Sequence, residues 1–219
     1  FNTTLPLIKE NKDFQSIFTP KISLKIAPNQ TKNDRDGNTR VDINNVYSLS
    51  RITGSDTVEG GLSLTYGTDY SIFDKKNQRE ELNFKIASNL RLEENHDLPS
   101  MNQMGEKTSN IFSEITYSPN QYFTSKYNTS LKNNLSDVNY ENLIGEFKLN
   151  NFVTTFDYLS ENNSKDATSY FSNTTSYNFD ENNSFSFSTR RNKNISLTEY
   201  YDLAYEYKTD CLTAAIKYN

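Results

Sequence analysis

The sequence predicts an all-β fold: a partial barrel of about eleven long strands from an antiparallel transmembrane β-barrel. Apolar and polar residues alternate with a period of two along most of the chain. Only 34% of the 219 residues are hydrophobic, yet there are 15 Tyr and 14 Phe, whereas disordered chains are poor in aromatics. The alternating segments run to ~10–14 residues, which exceeds the usual ~5–6 of globular strands and is enough to cross a bilayer.

The first clear segment, residues 61–73, has an apolar face and a polar face. Its apolar face consists of Leu62, Leu64, Tyr66, Tyr70 and Ile72, and its polar face of Ser63, Thr65, Gly67, Asp69 and Ser71. Further segments with a shared apolar face follow in order at 82–92, 111–117, 123–131, 143–149, 152–158, 171–179, 185–187, 197–207 and 212–218. Each therefore reads as a two-faced strand.

Polar stretches of two lengths separate these strands. "DKKNQRE", "SPNQ" and "NFDENNS" are short, whereas 29–45 and 93–110 are long. Outer-membrane barrels have short periplasmic turns and long external loops. We therefore expect the Leu, Ile, Phe and Tyr faces to meet lipid and the Ser, Thr, Asn and charged faces to line a wet lumen.

Charge and hydropathy exclude two other classes of protein. The net charge is -5 and no cluster of Lys and Arg occurs, so the sequence predicts no nucleic-acid partner. No run of about 18 apolar residues occurs, which excludes a transmembrane helix but not a barrel. The start at "FNTTLPLIKE" has no initiating Met or targeting segment, so we expect a fragment or a processed product.

The sequence offers little for catalysis or metal binding. His96 is the single histidine, lies in a polar stretch and has no serine motif near it, so we expect a solvated loop histidine. "NDRDGN" at 33–38 lacks the terminal Glu of a calcium loop and reads as a polar turn. The chain is therefore predicted to be no enzyme and to need no cofactor or metal.

Cys211 is the single cysteine and lies in "KTDC", between two alternating segments. A buried reduced thiol is the common state of a lone cysteine in a cytosolic protein. In an exported barrel an odd cysteine suggests a bond to something outside the chain. The exposed turn position favours a disulfide to a missing segment.

Three stretches resemble one family, the outer-membrane lipopolysaccharide-assembly protein LptD, also called the organic solvent tolerance protein. They are "YDLAYEYKTDCLTAAIKYN", "NNVYSLSRITGSDTVEGGLSLTYG" and "DLPSMNQMGEKTSNIF". The first contains Cys211. The other two match the family's signature loops at Arg51, Gly54, Asp56, Glu59, Gly61, Tyr66, Gly67, Leu98, Pro99, Gly105 and Ser109.

The resemblance implies non-catalytic transport of lipopolysaccharide to the outer leaflet of a Gram-negative outer membrane. In that family a periplasmic N-terminal domain receives the lipid from periplasmic lipopolysaccharide-bridge proteins, and a barrel plugged by the lipoprotein LptE releases it. The barrel-assembly machinery would insert the protein. The resemblance implies that Cys211 is disulfide-bonded to the N-terminal domain. It also implies that residues 1–219 are a C-terminal portion of the barrel, without that domain and without the barrel ends.

Two other functional classes stay open at this point. A general porin or a secreted β-rich surface protein fits the alternation, but neither explains Cys211 and the signature loops. An enzyme fits least, because it requires His96 or an acidic pair to converge on a site.

Overall fold

The computed structural model describes residues 1–28, 32–37, 39–52, 58–162 and 167–218. These residues contain thirteen β-strands and no helix. The strands are β1 (Asn2–Thr4), β2 (Leu7–Glu10), β3 (Phe14–Ala27), β4 (Gly61–Asp74), β5 (Arg79–Arg91), β6 (Ile111–Asn120), β7 (Phe123–Leu131), β8 (Val138–Leu149), β9 (Phe152–Asn162), β10 (Ala167–Asn178), β11 (Asn183–Asn192), β12 (Leu197–Lys208) and β13 (Thr213–Tyr218). The predicted all-β fold is confirmed.

The strands form one sheet whose order follows the chain, β1-β3-β4 and so on to β13, with β2 also pairing with β3. The pairing is antiparallel between β3 and each of β1, β2 and β4, between β4 and β5, and between each consecutive pair from β9 to β13. The linear order is consistent with the predicted partial barrel, and the described ranges contain thirteen strands rather than about eleven. No helix in the described ranges is long and apolar enough to cross a membrane.

The predicted strands did not include β3, which has Pro20 in its middle, and a proline is unusual inside a sheet. The structure explains how β3 keeps Pro20. Along one edge of β3, residues 15–18 pair with β2 and residues 21–23 pair with β1. Pro20 therefore lies where its partner changes, and its carbonyl still accepts a hydrogen bond of 3.2 Å from the amide of Leu5.

The chain divides into two compact units. Unit 1 comprises Phe1–Thr116 with Asn128–Glu141, and unit 2 comprises Tyr117–Tyr127 with Asn142–Asn219. Unit 1 contains the hydrophobic core, a cluster of Val41, Ile43, Val46, Ala87, Met104 and Phe112. Among the described residues of unit 2 no apolar side chain is fully buried.

Candidate functional site

A buried carboxylate in unit 1 is surrounded by cations. Glu59, which is 1% exposed, precedes β4 and accepts a hydrogen bond of 2.9 Å at Oε2 from Nε of Arg51. Lys25 Nζ lies 3.0 Å from the same oxygen, and Oε1 accepts from Nη2 of both Arg51 and Arg91. One carboxylate thus partners three cations.

The sheet register places two of these cations. Lys25 on β3 is opposite Ser63 on β4, and Ser63 is opposite Arg91 on β5. The three residues form one cross-strand row, and side chains in such a row share a face. Because Ser63 is small, the carboxylate of Glu59 can lie between Lys25 and Arg91. The guanidinium of Arg51 then contacts Ser63 Oγ at 3.3 Å.

The surrounding charges keep Glu59 ionised. Burial raises the pKa of this carboxyl, but the hydrogen bond from Arg51 and the positive charges of Arg51, Lys25 and Arg91 outweigh it. The pKa falls to about 2 as a result. Removing one partner from a buried ion cluster strands uncompensated charge, so the members depend on one another.

Arg91 also joins two loops. Its Nη1 donates a hydrogen bond of 2.9 Å to the carbonyl of Gly60, next to Glu59. Its Nε donates one of 2.6 Å to the carbonyl of Met104, in the loop between β5 and β6. A single strand residue therefore holds the loop before β4 and the loop after β5.

The loop between β5 and β6 is folded back on itself. Leu98 and Pro99 are buried, and the amide of Asn95 donates a hydrogen bond of 2.7 Å to the carbonyl of Gly105. A Cβ at Gly105 would collide with the Asn95 carbonyl, so this close approach requires glycine. The side-chain amide of Asn102 donates a hydrogen bond of 3.3 Å to the carbonyl of Thr39, and this bond joins the loop to residues 39–52.

Residues 39–52 lie over the polar face of β3, β4 and β5. The carbonyl of Val46 accepts a hydrogen bond of 3.5 Å from Thr65 Oγ1. The hydroxyl of Tyr47 lies where a Cβ at Gly67 would be, so glycine makes room for it. Burial, together with the negative charge of Asp69, raises the pKa of Tyr47 to about 12.

The expectation of a wet polar face is therefore wrong for part of unit 1. Ser63, Thr65 and Asn89 are all buried. Asn89 donates a hydrogen bond of 3.0 Å from its side-chain amide to Thr65 Oγ1, so the covered groups are partly satisfied within the sheet. The long loops cover the face that the alternation pattern assigned to water.

In unit 2 the two faces differ sharply in chemistry, and both are accessible. One cross-strand row is apolar on every strand from β9 to β13, namely Phe152, Tyr177, Phe185, Tyr205 and Ile216. The adjacent row on the other face has Ser176, Ser186, Ala204 and Lys217 on β10 to β13. The apolar face is exposed, as at Phe156 (47%), and soluble proteins rarely leave so large a patch open.

A comparison with protein families identifies the chain. The model of the family "LptD: LPS transport system D" matches residues 5–191. The chain belongs to this LptD family. LptD proteins act in lipopolysaccharide transport to the outer membrane of Gram-negative bacteria, and the exposed apolar strand face agrees with that location. A search among curated proteins gives no match.

The structure brings together part of the LptD signature identified in the sequence. Arg51 and Glu59 are in direct contact, and Arg91 touches the backbone between Glu59 and Gly61. Gly61 itself opens β4 with a φ of 96°. Gly67 lies under Tyr47, and Leu98, Pro99 and Gly105 fold the second loop. Gly54 and Asp56 lie outside the described residues.

The sequence did not point to Lys25 and Arg91, the two strand residues that complete the cluster of cations around Glu59. Both are cations on the polar face of an alternating strand, and a cation in this position is equally well explained as a hydrated residue of the lumen. The useful signal was their shared register with Ser63, which becomes visible only once the pairing of β3, β4 and β5 is known.

Two single residues lie where the sequence predicted. Cys211 is an exposed free thiol in the turn between β12 and β13. The side chain of His96 is 72% exposed, and its Nε2 lies 3.8 Å from Oε2 of Glu94. In the described part of the chain no group of three His, Cys, Asp or Glu side chains is arranged to hold a metal ion.

Proposed function

We propose that residues 1–219 form a C-terminal portion of the barrel wall of an outer-membrane translocon, which assembles lipopolysaccharide into the outer leaflet without covalent chemistry. One observation carries the proposal: strands of 9 to 14 residues expose apolar side chains within each unit in a chain of the LptD family. A transmembrane strand needs about 9–11 residues, and its lipid-facing side chains alternate with lumenal ones.

The two faces of unit 2 supply the two environments that this function needs. The row from Phe152 to Ile216 offers aromatic side chains to the hydrocarbon and its interface. The serines and threonines of the opposite face offer small hydroxyl groups that both donate and accept hydrogen bonds, which suits the sugar head group of lipopolysaccharide. Binding of this kind guides a lipid without breaking bonds.

The partners follow from family membership and complete the proposal. Lipopolysaccharide is the cargo, delivered by the periplasmic bridge proteins to an N-terminal domain outside this chain. An LptE-like lipoprotein plugs the barrel, and the barrel-assembly machinery inserts it. The signature residues Arg51, Glu59, Leu98, Pro99 and Gly105 act in the loops that shape the lumen.

Cys211 has a structural role in this proposal, as the disulfide link to the N-terminal periplasmic domain. Within unit 2 the turn of Cys211 leaves the sheet at the same end as the two-residue turns 121–122 and 150–151, whereas the four-residue turn 193–196 leaves at the opposite end. Short turns of outer-membrane barrels face the periplasm, where disulfides form. The position of Cys211 therefore supports a periplasmic partner.

The direct test is depletion of the protein in its own cells, with surface labelling of newly made lipopolysaccharide. Loss of surface arrival, restored by the wild-type gene, is the expected result. Unchanged arrival together with lower uptake of small solutes would instead identify a porin.

Non-reducing gel electrophoresis of the complete protein tests the role of Cys211. A mobility change on reduction is expected in wild type and lost in Cys211→Ser. The same mobility in both proteins would remove the disulfide from the proposal.

A further inference from the structure

Residues 39–52, here called the flap, are attached to the polar sheet face both by apolar packing and by charge. Arg51 binds Glu59, and Glu59 binds Lys25 of β3 and Arg91 of β5. The apolar part of the attachment consists of Val41, Ile43 and Val46 against Ala87, Met104 and Phe112, and Tyr47 packs against the same cluster. Buried ion clusters are often no more stable than apolar packing of the same volume, so a permanent cover does not require one.

The closed arrangement also leaves polar groups poorly satisfied. The hydroxyl of Tyr47 is buried with no hydrogen-bond partner among the described residues. Lys25 Nζ is buried too, and its contact with Glu59 lacks hydrogen-bond geometry. An unpaired buried polar group costs free energy, which water would return if the flap lifted.

The covered face is suited to water once it is uncovered. Ser63, Thr65 and Asn89 are polar, and the hydrogen bond from Asn89 to Thr65 joins two strands and does not involve the flap. Lys21 and Asp69 on the same face form their own ion pair. The sheet face can therefore lose its cover without losing its internal hydrogen bonds.

We propose that the flap is a movable cover, latched by Arg51 onto Glu59, which Lys25 and Arg91 hold against the sheet, and that opening this latch exposes the polar face to the transported head group. The second part rests on the proposed translocation function; the latch itself does not. A two-state element of this kind needs only two packings that differ by little free energy.

Thiol labelling of the complete protein in outer membranes tests the latch. Val46 is 0% exposed, so Val46→Cys reports on lifting of the flap, and mass spectrometry of its peptide separates it from Cys211. Adding Glu59→Gln is expected to speed labelling about 100-fold, the scale of a buried ion cluster that loses its shared partner. The matched control is Glu114→Gln, another buried carboxylate of unit 1, paired with Lys85 at 2.8 Å. It should leave labelling unchanged.

Unchanged labelling in Glu59→Gln overturns the latch, as does an equal rise in Glu114→Gln. If Glu59→Gln does not reach the membrane, Lys25→Met is used, since it removes one cation and leaves both arginine contacts. A smaller rise in labelling is then expected, and no rise overturns the latch.

Entry of a large antibiotic tests the gating part. Entry should increase in Glu59→Gln and not in Glu114→Gln. Faster labelling without greater entry overturns gating. Neither readout depends on lipopolysaccharide arrival, so failure of the proposed function is recognised separately by surface labelling.

Discussion

Arg91 Nε donates a hydrogen bond of 2.6 Å to the carbonyl of Met104, while the same side chain donates to the carboxylate of Glu59. A residue at the end of β5 thus holds the folded arrangement of two loops that are distant from each other in sequence. We expect Arg91→Met to lower the free energy of unfolding of unit 1 by about 3–5 kcal/mol, because buried charge and a carbonyl lose their partner. Urea titration of the assembled protein measures it.

The control for this change is Arg79→Met. Arg79 pairs with Glu81 at 3.5 Å, and both side chains are about a quarter exposed. Exposed pairs contribute about 0–1 kcal/mol, so this variant should unfold near the wild-type urea concentration. An equal loss of unfolding free energy in both variants would show that the burial of Arg91 does not increase its contribution to stability.

The sequence predicted the elements whose signal is local. Residues 61–73 alternate cleanly and form β4 over Gly61–Asp74. β3 was not among the predicted strands, although Ile22, Leu24 and Ile26 alternate with polar residues; its Pro20 is tolerated because the partner strand changes there. Alternation tells which residues share a face, but not what lies over that face. The cover on Thr65 and Asn89, and the meeting of Arg91 with Glu59, depend on contacts between segments far apart in sequence.

Neighbouring residues of β12 test the assignment of faces. Leu203 lies opposite Phe187 on the apolar face, whereas Ala204 lies opposite Ser186 on the polar face. Leu203→Arg should destabilise the inserted protein by about 2–4 kcal/mol, because a cation near the bilayer midplane is costly. Ala204→Arg should be nearly neutral. The folded fraction after refolding into vesicles measures both, and the reverse order would show that the faces are exchanged.

Two glycines in strands provide a packing test. A Cβ at Gly67 would meet Tyr47 and the backbone of Ile86 and Ala87, whereas at Gly145 nothing lies within 4 Å. Gly67→Ala should cost about 1–3 kcal/mol through overpacking. Gly145→Ala should be neutral or slightly stabilising. Thermal unfolding of the two variants measures the difference, and equal midpoints would argue against Tyr47 lying on Gly67.

The pKa of Glu59 predicts a dependence on acid. The folded state depresses this pKa from 4.5 to about 2. The contribution of Glu59 to stability is therefore complete above its pKa in the unfolded chain, and it is lost as the pH falls through its pKa in the folded protein. The difference in unfolding free energy between wild type and Glu59→Gln should be constant above about pH 5 and shrink between about pH 4.5 and pH 2. A difference that stays constant across this window would contradict an ionised, cation-bound Glu59.

The 219-residue chain prepared alone should not form a closed pore. Its strand order is linear and ends at β13. A membrane barrel must close so that its edge amides and carbonyls are paired, because hydrocarbon offers them no partner. Planar-bilayer recordings should show no steady conductance. A stable single-channel current, or insertion that protects the chain from protease, would contradict this expectation.

The shared carboxylate of unit 1 sets an order in which evolution can alter the site. A change at Lys25 still leaves Glu59 neutralised by two guanidinium groups, whereas a change at Glu59 leaves three like charges confined together. Relatives should therefore vary the lysine first and replace the acid only after the arginines have gone. A relative that lost only Glu59 would keep Lys25, Arg51 and Arg91 repelling one another beneath residues 39–52.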